Sequence, residues 1–407
     1  MKSSADGVKT NIRVCIPALD ELEWLPRTLG SFAQQTCDSF CVVVCINQPE
    51  SWRSDPGKRE ICANNDKTLK LAARMARDLP YPLHLVDRCS PGRGWKPRQG
   101  GAGAARREAM DFAMKLGGED ILLVSADADS LYDPDYLKDI AERFSRFPHV
   151  EAIAAPYYHA ATGDDAIDRA MLEYELFMRF YLLNLIGTGS PYAFTAIGSA
   201  LAVTGKGYRA IGGMPPKPVG EDFYLLQKSA KRSKMLLGLD SRAYPAARYS
   251  HRVAYGTGPA LRDGTSGNTL RYAIIHPRHF EKLHQLYQCF QELYRKNIPT
   301  PADAFTGEIF GENIWEKLRQ NVAGLATFTK ACHQKFDGLR IWQWMRREAA
   351  GDNPRKALYA NLELHLPGFA AAIGWDGASQ PALQQLVQMR EAVVKTENER
   401  RFAHDAT

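Results

Sequence analysis

The stretch "DILLVSADADSLYDPDYL", from Asp120 to Leu137, begins as an apolar run and then places two acids, Asp127 and Asp129, one residue apart. Residues i and i+2 of a strand point the same way, so both carboxylates are expected to project together beyond the end of a buried strand. Two acids that close repel each other unless a cation lies near them. Hard divalent cations such as Mg²⁺ or Mn²⁺ take oxygen ligands and often share a phosphate. The stretch therefore favours a metal and phosphate site over a plain polar loop.

Apolar runs separated by helical patterns precede this stretch. The runs "IRVCIP" (Ile12 to Pro17), "FCVVVCIN" (Phe40 to Asn47) and "LHLVD" (Leu83 to Asp87) are predicted to be strands. Continuous apolar strands that alternate with helices indicate an α/β fold, with a mostly parallel sheet covered on both faces. Ligands of such sheets gather at the carboxyl ends of the strands. Asp127 and Asp129 are predicted to lie at that edge.

The last third of the chain has a different character. From about Thr269 it consists of helical patterns with few strand candidates. We predict a first domain over residues 1–262 and a mainly α-helical region over residues 263–407, which could mediate oligomerisation or acceptor binding. An earlier apolar stretch, Ala166 to Ile186, is predicted to be a long helix that belongs to the core or shapes an acceptor groove.

Composition excludes several classes of protein. The 407 residues are 45% hydrophobic and 24% charged with a net charge of +6, as in an ordinary soluble globular protein. No window reaches the roughly 18 apolar residues of a membrane span, and the polar N-terminus does not resemble a signal peptide. We expect a cytoplasmic protein, and the charge is compatible with peripheral contact at the inner membrane face. The sequence has no basic tract with interleaved aromatic residues, so we do not expect nucleic-acid binding. Eight cysteines without a Cys-x-x-Cys pair fit a reducing compartment.

A basic segment rich in glycine follows the third predicted strand. "DRCSPGRGWKPRQGGAGAARREA" gathers Arg93, Lys96, Arg98 and Arg106 around five glycines and a helix start. Glycines let a backbone approach a ligand closely, and a helix N-terminus attracts anions, so the segment suits a diphosphate. The alternative is a solvated loop. The spacing matches neither a dinucleotide fingerprint nor a P-loop.

Two further features carry chemistry. Glu221 and Asp222 open a predicted helix, where acids are ordinary partners of the helix dipole but where a carboxylate also stays ionised and can act as a general base. His251 follows about thirty residues later. A neutral imidazole suits Mn²⁺, although a lone histidine is more often an ordinary hydrogen-bonding residue.

Four motifs in this order, over roughly residues 11–260, resemble the family 2 glycosyltransferases of the GT-A fold. They are "VCIPALDELEWLPRTLGSFAQQ", "GGAGAARREAMDFA", "SADADS" and "GSALAVTGKGYRAIGGMPPKPVGEDFYLL". The resemblance implies a Rossmann-like, mixed and mostly parallel sheet flanked by helices, with the α-helical region as a C-terminal extension. It also implies an enzyme that moves a sugar from a UDP- or GDP-sugar to an acceptor hydroxyl with the help of Mg²⁺ or Mn²⁺.

The resemblance also implies roles for particular residues. The metal would be held by Asp129 and Asp127, with His251 as a further ligand. Asn47 stands where many relatives carry an aspartate that holds the base or ribose, and because an amide both donates and accepts, the identity of the base stays open. The donor nucleotide would be bound by Pro17, Ala18, Asp20, Glu21, Asn47, Arg106 and Asp127.

Catalysis would then fall to the acid pair. Asp222 would be the general base of an inverting displacement and Glu221 would contact the acceptor, whereas a metal bound by His251 would point to a retaining relative. The acceptor stays open between a sugar, a lipid-linked hydroxyl and a small acid such as a glycerate. One alternative is a sugar-phosphate nucleotidyltransferase, although the segment after the first strand, "PALDELEW", is acidic instead of basic and rich in glycine. The other is a nucleotide-sugar-binding protein without activity.

Overall fold

The structure is a computed structural model that describes residues 11–217, 219–248, 257–265, 272–311 and 313–407. It contains two compact units. The first holds the described residues of Met1–Thr162, Ala196–Pro259 and His404–Thr407, and the second those of Gly163–Thr195 and Ala260–Ala403. The predicted domain boundary between residues 262 and 263 stays a prediction. The compact units differ from that division, since Gly163–Thr195 belongs to the second unit.

The strands all belong to the first unit. In chain order they are β1 (Ile12–Ala18), β2 (Phe40–Asn47), β3 (Leu83–Arg88), β4 (Leu122–Ser125), β5 (Leu131–Tyr132), β6 (Ala152–Ala154), β7 (Leu201–Thr204), β8 (Met235–Leu236) and β9 (Ala243–Tyr244). Seven of them form one sheet in the order β3-β2-β1-β4-β7-β6-β8, and β5 pairs with β9. Only β7 runs antiparallel to its neighbours in the large sheet. The predicted α/β class with a mixed, mostly parallel sheet is confirmed.

The sheet brings three loops together at one edge. The parallel strands β1, β2 and β4 are paired so that Ala18 faces Ile46 and Cys15 faces Ser125. Every residue of β2 is buried, as expected for a strand covered on both faces. The segments that follow β1, β2 and β4 therefore leave the sheet side by side, at its carboxyl edge.

Helices flank the sheet and make up the second unit. In chain order they are α1 (Leu25–Phe32), α2 (Arg59–Met75), α3 (Ala102–Gly117), α4 (Tyr136–Arg146), α5 (Asp165–Gly187), α6 (Gly205–Ala210), α7 (Glu221–Ala230), α8 (Thr257–Thr265), α9 (Pro277–Leu293), α10 (Asp303–Phe310), α11 (Ile314–Asn321), α12 (Leu325–Lys335), α13 (Gly338–Glu348), α14 (Pro354–His365), α15 (Phe369–Ala372) and α16 (Leu383–Ala406). The predicted α-helical C-terminal part is confirmed. Among the described residues, no helix is long and apolar enough to cross a membrane.

Helix α5 is the centre of the second unit. Its N-terminus is capped by Asp164, whose carboxylate accepts the backbone amides of Ala166 and Ile167 at 2.9 and 3.1 Å. Its apolar side chains pack into one core with α14 and α16, in which Phe180 and Met389 are buried. The long apolar helix predicted from the sequence is thus a core element of the helical unit.

The last residues of α16 form hydrogen bonds with the segment around β8. The carboxylate of Asp405 accepts the backbone amides of Leu237 and Gly238, each at 2.9 Å, and pairs with Arg143. Lys234 donates its Nζ to the carbonyl of His404 at 2.6 Å. These contacts hold the last residues of α16 beside the short strand β8, inside the first unit.

Candidate functional site

The loop after β4 carries the two predicted metal ligands. The amide of Ala126 donates to the carbonyl of Cys15 at 3.1 Å, and the hydroxyl of Thr28 donates to the carbonyl of Ala128 at 2.8 Å, so the loop is fixed from two sides. The side chains of Asp127 and Asp129 are 36% and 18% exposed. Both follow a buried strand as the sequence indicates, but each pairs with a different arginine.

Arg106 lies beneath this loop and is buried. Its guanidinium donates to Asp127 Oδ1 at 2.7 Å, to Glu221 Oε1 at 3.3 Å and to the carbonyl of Gly198 at 3.0 Å. It also donates to the hydroxyl of Ser125. A Cβ at position 198 would lie 2.6 Å from Arg106 Nη2, so only glycine leaves room for this guanidinium. Without a ligand, the donors of Arg106 bond to the protein's own acceptors, and its predicted contact with a diphosphate stays a prediction.

The predicted acid pair opens α7 next to Arg106. Glu221 is buried and held by that arginine, so its carboxylate positions the helix start, and its predicted contact with an acceptor stays a prediction. Helix α3 approaches the preceding segment so closely that a Cβ at Gly103 would lie 2.3 Å from the carbonyl of Lys217. This glycine of the basic segment is thus needed for packing.

Asp222 titrates differently from the sequence expectation. Burial and then the neighbouring Glu221 raise its pKa from 3.8 to about 7, although Arg106 and the amide of Phe223 oppose the shift. That amide donates to Asp222 Oδ1 at 2.7 Å. A carboxylate at a helix start was expected to stay ionised, but the nearby negative charge and the burial outweigh the helix N-terminus. Asp222 exchanges its proton near neutral pH.

Arg248 joins the site three residues before the predicted ligand His251, and no prediction from the sequence included this arginine. Its Nε and Nη2 lie 2.7 and 2.6 Å from Asp129 Oδ2, and its Nη2 also contacts Glu21 Oε1. Its guanidinium carbon lies 5.2 Å from the ring centroid of Trp24. The arginine therefore spans the acids that follow β1 and β4. No local pattern around residue 248 marks this role.

The segment after β1 is held in a special conformation. Asp20 has a φ of 57°, which is uncommon for a residue other than glycine. Its amide donates to Asn65 Oδ1 at 2.8 Å, and its Oδ1 accepts from Asn64 at 2.9 Å. Such backbone conformations are found at ligand sites when the surroundings impose them. The predicted nucleotide residues Pro17, Ala18, Asp20 and Glu21 thus end β1 and begin the loop that α2 anchors.

Asn47, which is predicted to contact the nucleotide base, bonds to other parts of the protein in this structure. Its side chain is buried, its Nδ2 donates to the carbonyl of Ala18 at 2.9 Å, and its Oδ1 accepts from the indole of Trp95 at 3.0 Å. Both ends of the amide thus bond within the protein, and its predicted contact with a base stays a prediction. The residue instead ties the end of β1 to the basic segment.

The basic segment is a braced loop with exposed cations. The carboxylate of Glu50 accepts the amides of Gly92 and Gly94 at 2.9 and 2.8 Å, and these bonds lower the pKa of Glu50. Arg93 is 66% exposed, 3.6 Å from Asp87. Lys96 and Arg98 are exposed as well. These three side chains, unlike Arg106, face solvent where an anion could reach them.

The predicted metal ligands supply only part of the coordination shell that a metal ion needs. His251 lies outside the described residues. Within the described part of the chain, no group of three or more His, Cys, Asp or Glu residues could hold a metal. Magnesium, however, is commonly bound by one or two carboxylates together with substrate phosphates. Asp127 and Asp129 supply such oxygens, so they fit a metal whose remaining ligands come from a bound diphosphate.

Comparisons with known proteins give structural likeness alone. No family model matches the chain, and no curated protein matches it. A crystal structure of S. aureus TarS 1-349 matches with 13% identity and a TM-score of 0.41, over 94% of this chain and 92% of that one. The same protein in complex with UDP-GlcNAc gives 14%, 0.43 and the same coverage, and in complex with UDP it gives 13% and 0.41, over 96% and 90%. Similarity at this level does not establish a shared function.

Proposed function

We propose that the protein is a metal-assisted glycosyltransferase that moves a sugar from a UDP- or GDP-sugar to an acceptor hydroxyl with inversion. One observation carries the proposal: Arg106 bridges Asp127 and Glu221, next to an Asp222 whose pKa is about 7. A loop suited to a metal and a diphosphate is thus tied directly to a group suited to accept a proton. The resemblance of the sequence motifs to family 2 glycosyltransferases supports the same chemistry.

The donor side would be formed by the loops after β1 and β4. Asp127 and Asp129 would hold Mg²⁺ or Mn²⁺, which when bound would neutralise negative charge on the departing diphosphate. The exposed Arg93 and Lys96 of the basic segment would pair with the phosphates. Glu21 and its neighbours at the end of β1 would hold the nucleoside.

Asp222 would act as the general base. A group is most useful for proton transfer when its pKa lies near the working pH, and about 7 meets this condition. Asp222 would take the proton of the acceptor hydroxyl while the oxygen forms its bond to the anomeric carbon. The bond from that carbon to the diphosphate breaks in the same step, and its electron pair leaves with the diphosphate. Arg106 and Glu221 would position the start of α7 for this transfer.

Calorimetric titration tests the donor site. The purified protein is titrated with UDP and with GDP, each with Mn²⁺ and again with excess chelator. We expect one nucleotide to bind only when the metal is present, because the protein alone supplies too few ligands. Asp129→Asn should abolish that binding. Asp120→Asn is the matched control, since Asp120 precedes the same strand but is 86% exposed and pairs with Lys206.

The opposite result is equally clear. If the folded protein binds neither UDP nor GDP with Mn²⁺ present, the donor site is absent. The two acids after β4 would then belong to a polar loop.

A further inference from the structure

The guanidinium of Arg248 lies at the centre of the proposed donor site. Two of its nitrogens contact the same oxygen, Asp129 Oδ2, at 2.7 and 2.6 Å, and one of them also reaches Glu21. The side chain is only 23% exposed and lies against the ring of Trp24. It is therefore a defined internal ion pair that bridges two loops of the sheet unit, and it differs from an ordinary surface contact.

We propose that Arg248 is a displaceable cation, which competes with the divalent metal for Asp129 and pairs with the donor diphosphate once displaced. This inference rests on the proposed function. It adds a residue that neither the sequence motifs nor the comparisons assign. It also gives Arg248 two successive partners, a carboxylate in the free protein and a phosphate in the complex.

Competition follows from the shared oxygen. An Asp129 Oδ2 that accepts two N–H groups of Arg248 has its lone pairs directed at the guanidinium. A divalent ion that bound this oxygen would have to approach it to about 2.0–2.1 Å, the usual distance for Mg²⁺, and one on the other oxygen of the same carboxylate would still lie close to the guanidinium. Two cations around one oxygen also repel each other strongly at such short range. Metal binding at Asp129 therefore requires the guanidinium to move away.

The second partner follows from the position of the arginine. Glu21 belongs to the segment proposed to hold the nucleoside, and Asp129 to the loop proposed to hold metal and phosphate. A group that contacts both lies between them, where a diphosphate would join nucleoside and metal. The guanidinium fork matches the oxygens of a phosphate and forms strong charge-assisted hydrogen bonds with it. In the complex, oxygens of the diphosphate would thus replace the carboxylates of Asp129 and Glu21 as partners of Arg248.

Positive coupling between metal and nucleotide is the consequence. In the free protein Arg248 lowers the affinity for the metal, and the described residues offer no group of three ligands to offset this. With a nucleoside diphosphate present, both cations gain phosphate oxygens. The metal and the nucleoside diphosphate therefore each raise the affinity of the protein for the other. Arg248 accounts for part of this increase.

The test measures Mn²⁺ binding without any nucleotide, from the paramagnetic resonance signal of the free ion. We expect Arg248→Gln to bind Mn²⁺ about tenfold more tightly than the wild type, within the usual range of coupling energies. With Mn²⁺ present, the affinity of the same variant for the nucleoside diphosphate should fall, also about tenfold. Arg248→Lys should lie between the two, because it keeps the charge but loses the fork.

Arg27→Gln is the matched control. Arg27 lies 5.5 Å from the centroid of the same Trp24 ring, but it is exposed and follows the start of α1. Its replacement should change neither affinity. The double variant Arg248→Gln with Asp129→Asn should lose the gained metal affinity, which would locate the metal at Asp129. Circular dichroism and thermal melts verify that each variant is folded.

Every other outcome decides against the inference. If Arg248→Gln binds Mn²⁺ no more tightly than the wild type, including the case in which neither binds it, the competition does not exist. If its nucleotide affinity is unchanged, the phosphate contact does not exist. Failure of the proposed function looks different: the wild type would then bind no UDP or GDP with metal, whatever the metal-only measurement shows.

Discussion

Two groups of charged residues, one in each unit, combine arginines with carboxylates. They differ in how far the arginines compensate the negative charge. In the helical unit, Arg179 contacts Glu397 at 2.7 Å and Glu175 at 3.2 Å, and Arg401 contacts Glu397 at 2.6 Å. All four side chains are almost fully buried. Burial alone would raise the pKa of Glu397, but Arg179 and Arg401 outweigh it and lower that pKa. Arg390 also lies 3.9 Å from Glu175, so the buried acids of this group are fully compensated, and the charges hold α5 against α16.

The group at the sheet edge is not balanced. Among the described residues, the guanidinium groups of Arg106 and Arg248 pair with four carboxylates, and the carboxylate of Asp222 adjoins them as a fifth. This excess of carboxylates contributes to the raised pKa of Asp222, because burial and then the neighbouring Glu221 disfavour its charged form. The carboxylates are those of Glu21, Asp127, Asp129, Glu221 and Asp222.

The difference separates structural from functional charge. A buried ion pair is costly to form and strongly destabilising to break, so complete pairing indicates a structural role. Carboxylates that outnumber their cations and reach solvent repel one another and destabilise the free protein. Binding of a cation relieves this repulsion and stabilises the folded state. Replacing a charge in the first group should therefore damage the fold, whereas replacing one in the second should damage binding or catalysis.

The largest expected effect is on turnover. Asp222→Asn removes the proposed base and should lower kcat by about 100- to 10,000-fold, the usual contribution of general base catalysis. Binding of the nucleoside diphosphate with Mn²⁺ should be unchanged. In the wild type, kcat/KM should rise with pH up to about 7 and then level off, since the pKa of Asp222 is about 7. Steady-state kinetics and calorimetry measure both, with Asp120→Asn as the control.

A variant that keeps full activity would remove Asp222 from the mechanism. A variant that loses nucleotide binding instead would make Asp222 part of the donor site.

The next effect is on stability and concerns the helical unit. Arg179→Met leaves Glu175 and Glu397 buried with less compensation, and it should lower the free energy of unfolding by about 3–5 kcal/mol. Arg347→Met is the control, since Arg347 pairs with Glu308 in an exposed position, where such pairs contribute about 0–1 kcal/mol. Urea denaturation followed by circular dichroism gives both values. Equal losses in the two variants would show that the buried group has no special role.

The smallest effect is the pH dependence of stability. Between pH 3.8 and about 7 the folded protein keeps the proton of Asp222 while the unfolded chain has lost it. Stability from this group is therefore present at low pH and is lost as the pH rises through about 7. Asp222→Asn should be more stable than the wild type above pH 7 and equally stable near pH 4. A difference that is independent of pH would contradict the raised pKa.

The sequence predicts what depends on neighbours along the chain. The apolar run before Asp127 identifies a buried strand, and the carboxyl edge of a parallel sheet then follows from the alternation of strands and helices. The acid pair at the start of α7 follows in the same way from local composition. These features need only periodicity and spacing, and for that reason the class of fold and the position of the acids could be predicted.

What the sequence does not predict depends on partners far away in the chain. Arg248 meets Glu21 across 227 residues, and Arg106 meets Glu221 across 115. The glycine-rich surroundings of Arg106 predict a phosphate ligand, but they do not show that its guanidinium bonds to Asp127 and Glu221 or that Gly103 packs against the carbonyl of Lys217. Asn47 has the composition of a base reader, but its amide is satisfied by Trp95 and Ala18. Only the tertiary structure shows which polar groups are already satisfied.

The contacts of Asp405 have a consequence for any attempt to divide the protein. The acceptor for two amides beside β8 comes from the far end of the chain, and the chain passes between the two units at four points. A fragment that stops near residue 262 would contain all the strands that the structure describes and yet leave Leu237 and Gly238 without this carboxylate. Neither unit can therefore be exchanged between homologous genes as one contiguous cassette. Recombination that preserves the sheet would have to retain the last helical turn with it.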